Sequence, residues 1–145
     1  MKPTSDPDAG REGVHMHRLT VRSSEREQLI DISAQVTATV SDWPDGAVLV
    51  YVPHSSAGLL INANADEDVA QDILRALRLI VPEDAGYRHA EGNSPSHVKT
   101  ALVGISQTVP LVGGKLQLGS WQSIFLAEFD GPRTRSVLLV CLAAH

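Results

Sequence analysis

Two histidines, His89 and His97, flank a polar segment in HAEGNSPSHVKT (residues 89–100), and a third, His54, follows the apolar run AVLVYVP and opens HSSAG. Neutral imidazoles arriving from separate segments can hold a divalent metal and leave one position open for water or substrate. The three are therefore candidate metal ligands and candidate acid–base groups. Spacing does not assign the role, because seven residues separate His89 from His97, unlike an i, i+4 helical pair or a zinc-finger interval. Local sequence alone favours a hydrogen-bonded histidine at the core edge for His54 and a solvated connection for the other two.

Other side chains suit a polar ligand. Ser55, Ser56 and Gly58 beside His54 offer hydroxyls and a backbone that a ligand can approach closely. LGSWQ joins Trp121 to Gln122, an aromatic wall and an amide for a flat heterocycle, with core packing as the commoner fate of the indole. Arg133 and Arg135 point the same way if GPRTR is extended, and such a pair suits phosphate or carboxylate; a solvated turn or a salt bridge accounts for them equally. Glu128 lies in the apolar stretch WQSIFLAEF, where an edge position would explain it harmlessly. Asp66, Glu67, Asp68 and Asp72 open an amphipathic segment and complement a helix dipole, although Asp66, near Asn62 and Asn64, has the chemistry to orient a histidine or to bind Mg²⁺. His15 and His17 read as an exposed pair. Cys141, the one cysteine, sits inside SVLLVCLAA and reads as a buried, inert thiol. The sequence contains no Gly-rich nucleotide loop, GxSxG elbow or Cys–His pair at nucleophile spacing.

The elements that must position these groups follow from pattern. A chain of 145 residues with 43% hydrophobic and 20% charged side chains suits one ordinary domain able to bury its own core. A net charge of −5 argues against a phosphate-tracking nucleic-acid surface. No apolar run reaches the ~18 residues of a membrane span, and the polar start with a lone cysteine points to a cytoplasmic protein. Residues 1–12 lack periodicity and read as a flexible tail, leaving 13–145 as the domain.

Within that domain VHMHRLTVRS alternates as a strand, and a short helix capped by Asp31 or Ser33 places Val36 and Val40 on one face. AVLVYV has the continuity of a central strand buried on both faces, and AGLLINA is extended. Asp66 starts a helix whose Val69, Ile73, Leu77 and Ile80 recur at helical spacing until Pro82 stops it. Residues 83–96 read as a loop, followed by a helical turn capped by Ser96. QTVPLV and KLQLG flank Gly113-Gly114 as a hairpin, and WQSIFLAEF and RSVLLVCLA flank DGPR. The expected class is α+β, mainly antiparallel sheet with one long helix and one or two shorter ones.

Taken together, HSSAGLLINANADEDVAQD, YRHAEGNSPSHVKTALVGISQTVPLVGGKLQLGSWQ and AEFDGPRTRSVLLV resemble the YjbQ family in order and spacing, across roughly residues 14–142. His54, Gly58, Asn62, Asn64 and Asp66 match the family's first block, Ser55 and Ser56 stand for threonines, and Ala63 replaces a usual glutamate. Tyr87, His89 and His97 match the second. The resemblance implies a pocket in which His54, His89 and His97 gather with Gln122 and Glu128 around a metal or anion, in a homotrimer. It also implies a secondary thiamine-phosphate synthase activity, with Ser55, Ser56, Asn62, Trp121, Arg133 and Arg135 as candidate substrate contacts and zinc or magnesium as cofactor. The expected partner is a small phosphorylated metabolite, and the alternative is a non-catalytic trimeric sensor of a metal or anion.

Overall fold

Backbone hydrogen bonding divides the strands between two sheets. The computed structural model describes residues 15–145, so the expected tail, residues 1–12, lies outside the described residues. In chain order the elements are β1 (Met16–Arg22), β2 (Gln28–Asp31), α1 (Ser33–Val40), β3 (Gly46–Tyr51), β4 (Ala57–Ala63), α2 (Glu67–Ile80), α3 (Ser94–Val103), β5 (Ser106–Val112), β6 (Lys115–Leu116), β7 (Gln122–Glu128) and β8 (Thr134–Ala143). A five-stranded sheet has the order β1-β8-β3-β5-β6 and a three-stranded sheet the order β2-β7-β4. Every pairing is antiparallel.

The two sheets face each other across one core. Val48, Val50, Val109, Leu111, Val137 and Leu139 of the large sheet meet Leu59, Ile124 and Leu126 of the small one, and α1 joins through Val36 and Val40. The small sheet's other face carries Leu60, Ala127 and Phe129, covered by Leu74 and Leu77 of α2 and Val103 of α3. The result is an α+β domain of three layers, large sheet, small sheet and helices. No helix among the described residues is long and apolar enough to cross a membrane.

Several expectations change. The AVLVYV strand is central, but it is not buried on both faces: Val48, Val50 and Val52 are fully buried, whereas the alternate residues Ala47, Leu49 and Tyr51 are half-buried, as expected of a strand with one face on the core. In α2 the buried stripe stops near Leu77, and Ile80 is exposed. The polar run up to residue 96 is not all loop: α3 starts at Ser94, with Pro95 in its first turn, where a missing N–H costs nothing. Ser96 is inside that helix rather than capping it, and its hydroxyl donates to the Asn93 carbonyl at 2.6 Å. DGPR links strands of different sheets, β7 in the small one and β8 in the large. Glu128 is therefore at no edge, since β7 is the middle strand of three.

One close approach seats α3 for the site. The Leu59 amide donates to the Gly104 carbonyl at 3.0 Å, and a Cβ on Gly58 would stand 2.5 Å from that oxygen. Only glycine lets β4 lie so close to the end of α3.

Candidate functional site

His54 lies three residues past β3, beyond the point where β3 stops pairing with β8 at Tyr51–Leu138. Its ring takes over the next free donor of β8: the Ser136 amide donates to His54 Nε2 at 2.9 Å. A nitrogen that accepts an N–H carries no proton of its own, so the neutral ring holds its proton on Nδ1. Burial, and then the nearby Arg135 guanidinium, keep the His54 pKa below the ordinary imidazole value, with Glu128 pulling weakly the other way.

His97 is oriented in the complementary sense. Its Nδ1 lies 2.9 Å from the Ser55 carbonyl oxygen, which can only accept, so Nδ1 is the donor and Nε2 keeps a free lone pair. Gly92, at φ +75°, turns the chain so that its amide donates to the His89 carbonyl at 3.3 Å. This turn brings His89 back over α3, with its ring centroid 5.4 Å from that of His97 and the planes at 73°. His89 is otherwise exposed, with Glu91 3.7 Å from its Nε2. Beside His97 opens a pocket of about 450 Å³, lined by His54, Ser55, His97, Thr100, Ala101, Gly104 and Ile105. That size suits a small metabolite.

The donor set can be tested against the expected metal. A metal-bound imidazole needs a bare ligating nitrogen and a protonated second nitrogen. His54 has its bare nitrogen occupied by the Ser136 amide and its proton on the other, so it does not fit as a ligand in this geometry. Only His89 and His97 remain, and no cluster of three His, Cys, Asp or Glu side chains able to hold a metal occurs among the described residues. A three-histidine metal centre does not fit this arrangement.

Beneath the pocket runs a buried polar network. Arg135 Nε donates to Glu128 Oε1 at 2.9 Å, and Nη2 donates to Glu128 Oε2 and to Ser56 Oγ, the latter at 2.9 Å. The Ser23 hydroxyl donates to Glu128 at 2.6 Å and the Asp130 amide at 3.1 Å. Burial alone would raise the Glu128 carboxyl, but the hydrogen bonds from Arg135, Ser23 and the Asp130 amide outweigh it and hold the pKa below the usual carboxylate value. Arg133 pairs with Asp130 at 3.1 Å instead, and Asn93 donates to the same carboxylate at 3.0 Å. Both arginines expected at phosphate are thus tied to carboxylates.

The remaining expected residues lie elsewhere. Gln122 and Glu128 occupy opposite ends of β7, about 20 Å apart at the usual rise per residue. Gln122 accepts from the Gly119 amide at 2.8 Å, Trp121 is 71% exposed rather than in the core, and Asn62 accepts from its neighbour Ala63 at 2.7 Å. Asp66 caps α2 by accepting from the Asp68 amide at 2.9 Å. This polar end and the histidine end are separated by the length of the strands.

A profile of the YjbQ-like UPF0047 proteins matches residues 17–144. The chain belongs to the YjbQ family. It is 45% identical over 121 residues to YugU of Bacillus subtilis, 81% of this chain and 92% of that one. A UPF0047 protein of Methanocaldococcus jannaschii is 43% identical over 122 residues, 83% of this chain and 88% of its own. Among solved structures, an uncharacterised YjbQ/UPF0047 protein of Clostridium acetobutylicum superposes with a TM-score of 0.83 at 43% identity, covering 86% of this chain and 99% of that one.

The YjbQ pocket also holds residues that sequence reasoning passed over. Thr100, Ala101, Gly104 and Ile105 supply its far wall, and the sequence hides them because Asn93, Ser94 and Ser96 mask the start of α3 as loop. The proline one residue after Ser94 was the available signal for an earlier helix start. Lys99, on the same helix, is almost fully buried, with its ammonium 3.3 Å from Glu27, a partner in the unrecognised β1–β2 connection.

Proposed function

We propose that this YjbQ protein is a small cytoplasmic enzyme acting on a phosphorylated heterocyclic metabolite at the His54–His97 pocket. Thiamine-phosphate formation from an aminopyrimidine pyrophosphate and a thiazole phosphate is the named candidate. The observation that carries the reading is His97: its Nδ1 is spent on the Ser55 carbonyl, so Nε2 is presented with a fixed direction beside a pocket of metabolite size. In the candidate reaction the thiazole nitrogen bonds to the pyrimidine's exocyclic carbon as the bond to pyrophosphate breaks. A protonated His97, with exposed His89 beside it, would stabilise the charge on the departing group, while Ala101 and Ile105 offer the ring an apolar wall. The expected zinc or magnesium ion enters this proposal only as a guest of His89 and His97, for which zinc is the better match to imidazole, and no step is assigned to it. Assembly as a homotrimer belongs to the same proposal, supported by the apolar side chains on the outer face of the large sheet.

Turnover of the two thiamine precursors by purified protein, abolished in His97→Ala, is the expected result. A second reading, a non-catalytic metal or anion sensor, is favoured by one feature: among the described residues no carboxylate lines the pocket. Saturable calorimetric binding of the precursors or of inorganic phosphate without turnover would assign the protein to that class, and absence of both would defeat the site.

A further inference from the structure

Among the described residues, the hydrogen-bond partners of both pocket imidazoles are backbone groups. His54 receives the Ser136 amide and His97 donates to the Ser55 carbonyl, and each of these backbone groups adjoins a member of one buried network. Arg135 precedes Ser136, and Ser56 follows Ser55. The Arg135 guanidinium spans the two: Nη2 donates to Ser56 Oγ at 2.9 Å and to Ser56 O at 3.3 Å, while its bidentate grip on Glu128 fixes the plane of the fork. Glu128 is anchored from behind by Ser23 and by the Asp130 amide. Arg135 belongs to the large sheet and Glu128 to the small one, so the pair joins the sheets at the end where the histidines sit.

We propose that the Arg135–Glu128 pair is a positioning clamp that holds the Ser55–Ser56 and Arg135–Ser136 segments in register and thereby sets the ring orientation and tautomer of both His54 and His97. Neither member lines the pocket, so both act through the histidines rather than on substrate. The functional weight of the clamp rests on the reading of this pocket as the site. Stability alone gives little reason for such a pair, because desolvation offsets most of the attraction between buried charges and an apolar pair of similar volume serves a core as well. A planar guanidinium adds what apolar packing lacks, several donors at fixed angles that tie a carboxylate and a backbone segment together.

The test is the nitrogen spectrum of the imidazoles in the full chain labelled with ¹⁵N-histidine at neutral pH. The parent should show His54 and His97 each as a single Nδ1–H tautomer, with widely separated ring-nitrogen shifts. Arg135→Lys and Glu128→Gln should collapse that separation for both rings through tautomer averaging, with His17 unchanged as an internal control. Ser56→Ala keeps both charges and removes one hydroxyl acceptor, so it should retain the fold and perturb His97 measurably. Parent-like ring patterns in a folded Arg135→Lys or Glu128→Gln protein would overturn the clamp; if both unfold, parent-like patterns in Ser56→Ala would do so. Because the readout needs no substrate, a protein that proves inactive with its tautomers still set by Arg135 defeats the proposed function and leaves the clamp standing.

Discussion

His54 and Glu128 both have pKa values held below their ordinary ones, and this makes the site sensitive to acid. The unfolded chain takes up a proton on His54 near its ordinary value of 6.5, while the folded ring, already accepting from Ser136, resists. The unfolded state then binds more protons, so stability falls as the pH drops below about 6.5 until the folded ring protonates. Glu128 adds a second contribution of the same sign: its stabilisation is fully present above about 4.5 and is lost as the pH falls through its lowered folded value. Urea melts from pH 8 to pH 3 should show both declines, and His54→Asn should remove the upper one. Truncating Glu128 to Ala strands the Arg135 guanidinium in the core, a change that typically costs about 3–5 kcal/mol. A urea-derived loss below about 1 kcal/mol would mean that the arginine finds water instead.

The contact between β4 and α3 depends on Gly58. Gly58→Ala pushes a methyl against the Gly104 carbonyl and the Val103 side chain, both too constrained to yield freely. A thermal melt should report destabilisation of about 1–3 kcal/mol, and displacement of α3 should weaken the phosphate binding proposed for the His97 pocket in the same variant. An unchanged melting temperature would show that the helix end has slack. The elements also divide by how legible they were. α2 and the Gly113-Gly114 hairpin carry their period and turn residues on the surface of the sequence. The start of α3 is obscured because Asn93, Ser94 and Ser96 look like loop chemistry, although Pro95 at a first turn marks a start. β2 escaped notice because QLID is too short to show a period. The partition of β7 and β8 into different sheets escaped too, since adjacent apolar strands around a turn look the same whether they pair with each other or separate.

At the scale of the molecule, the outer face of the large sheet presents Leu49, Leu138 and Val140, half-buried, with Leu142 46% and Val112 54% exposed. This band lies on neighbouring strands β5, β3 and β8, as expected of a surface that a second copy covers. Light scattering on the eluting protein should give three times the 15.6 kDa chain mass, and Val112→Lys with Leu142→Glu should reduce it to one without altering the circular dichroism. A monomeric parent at micromolar concentration would remove the trimer from the proposal.

The sequence by itself determined the class of the domain, its long helix, the buried Cys141 and the family to which the chain belongs, because these rest on short-range period, composition and the order of motifs. It also singled out His54, Ser55 and His97, which the fold does bring to one pocket. What it left undecided was what each imidazole could do. The partner of His54 is 82 residues away and that of His97 is 42 residues away, and in each case it is a backbone group, an N–H that all residue types but proline carry and a carbonyl that all carry. No pattern of side chains encodes such a partner. Only the packing of two sheets against a helix determines which ring nitrogen is bare and which is occupied, and that turns three equivalent histidines into one ring held by a backbone donor, one presented lone pair and one exposed neighbour.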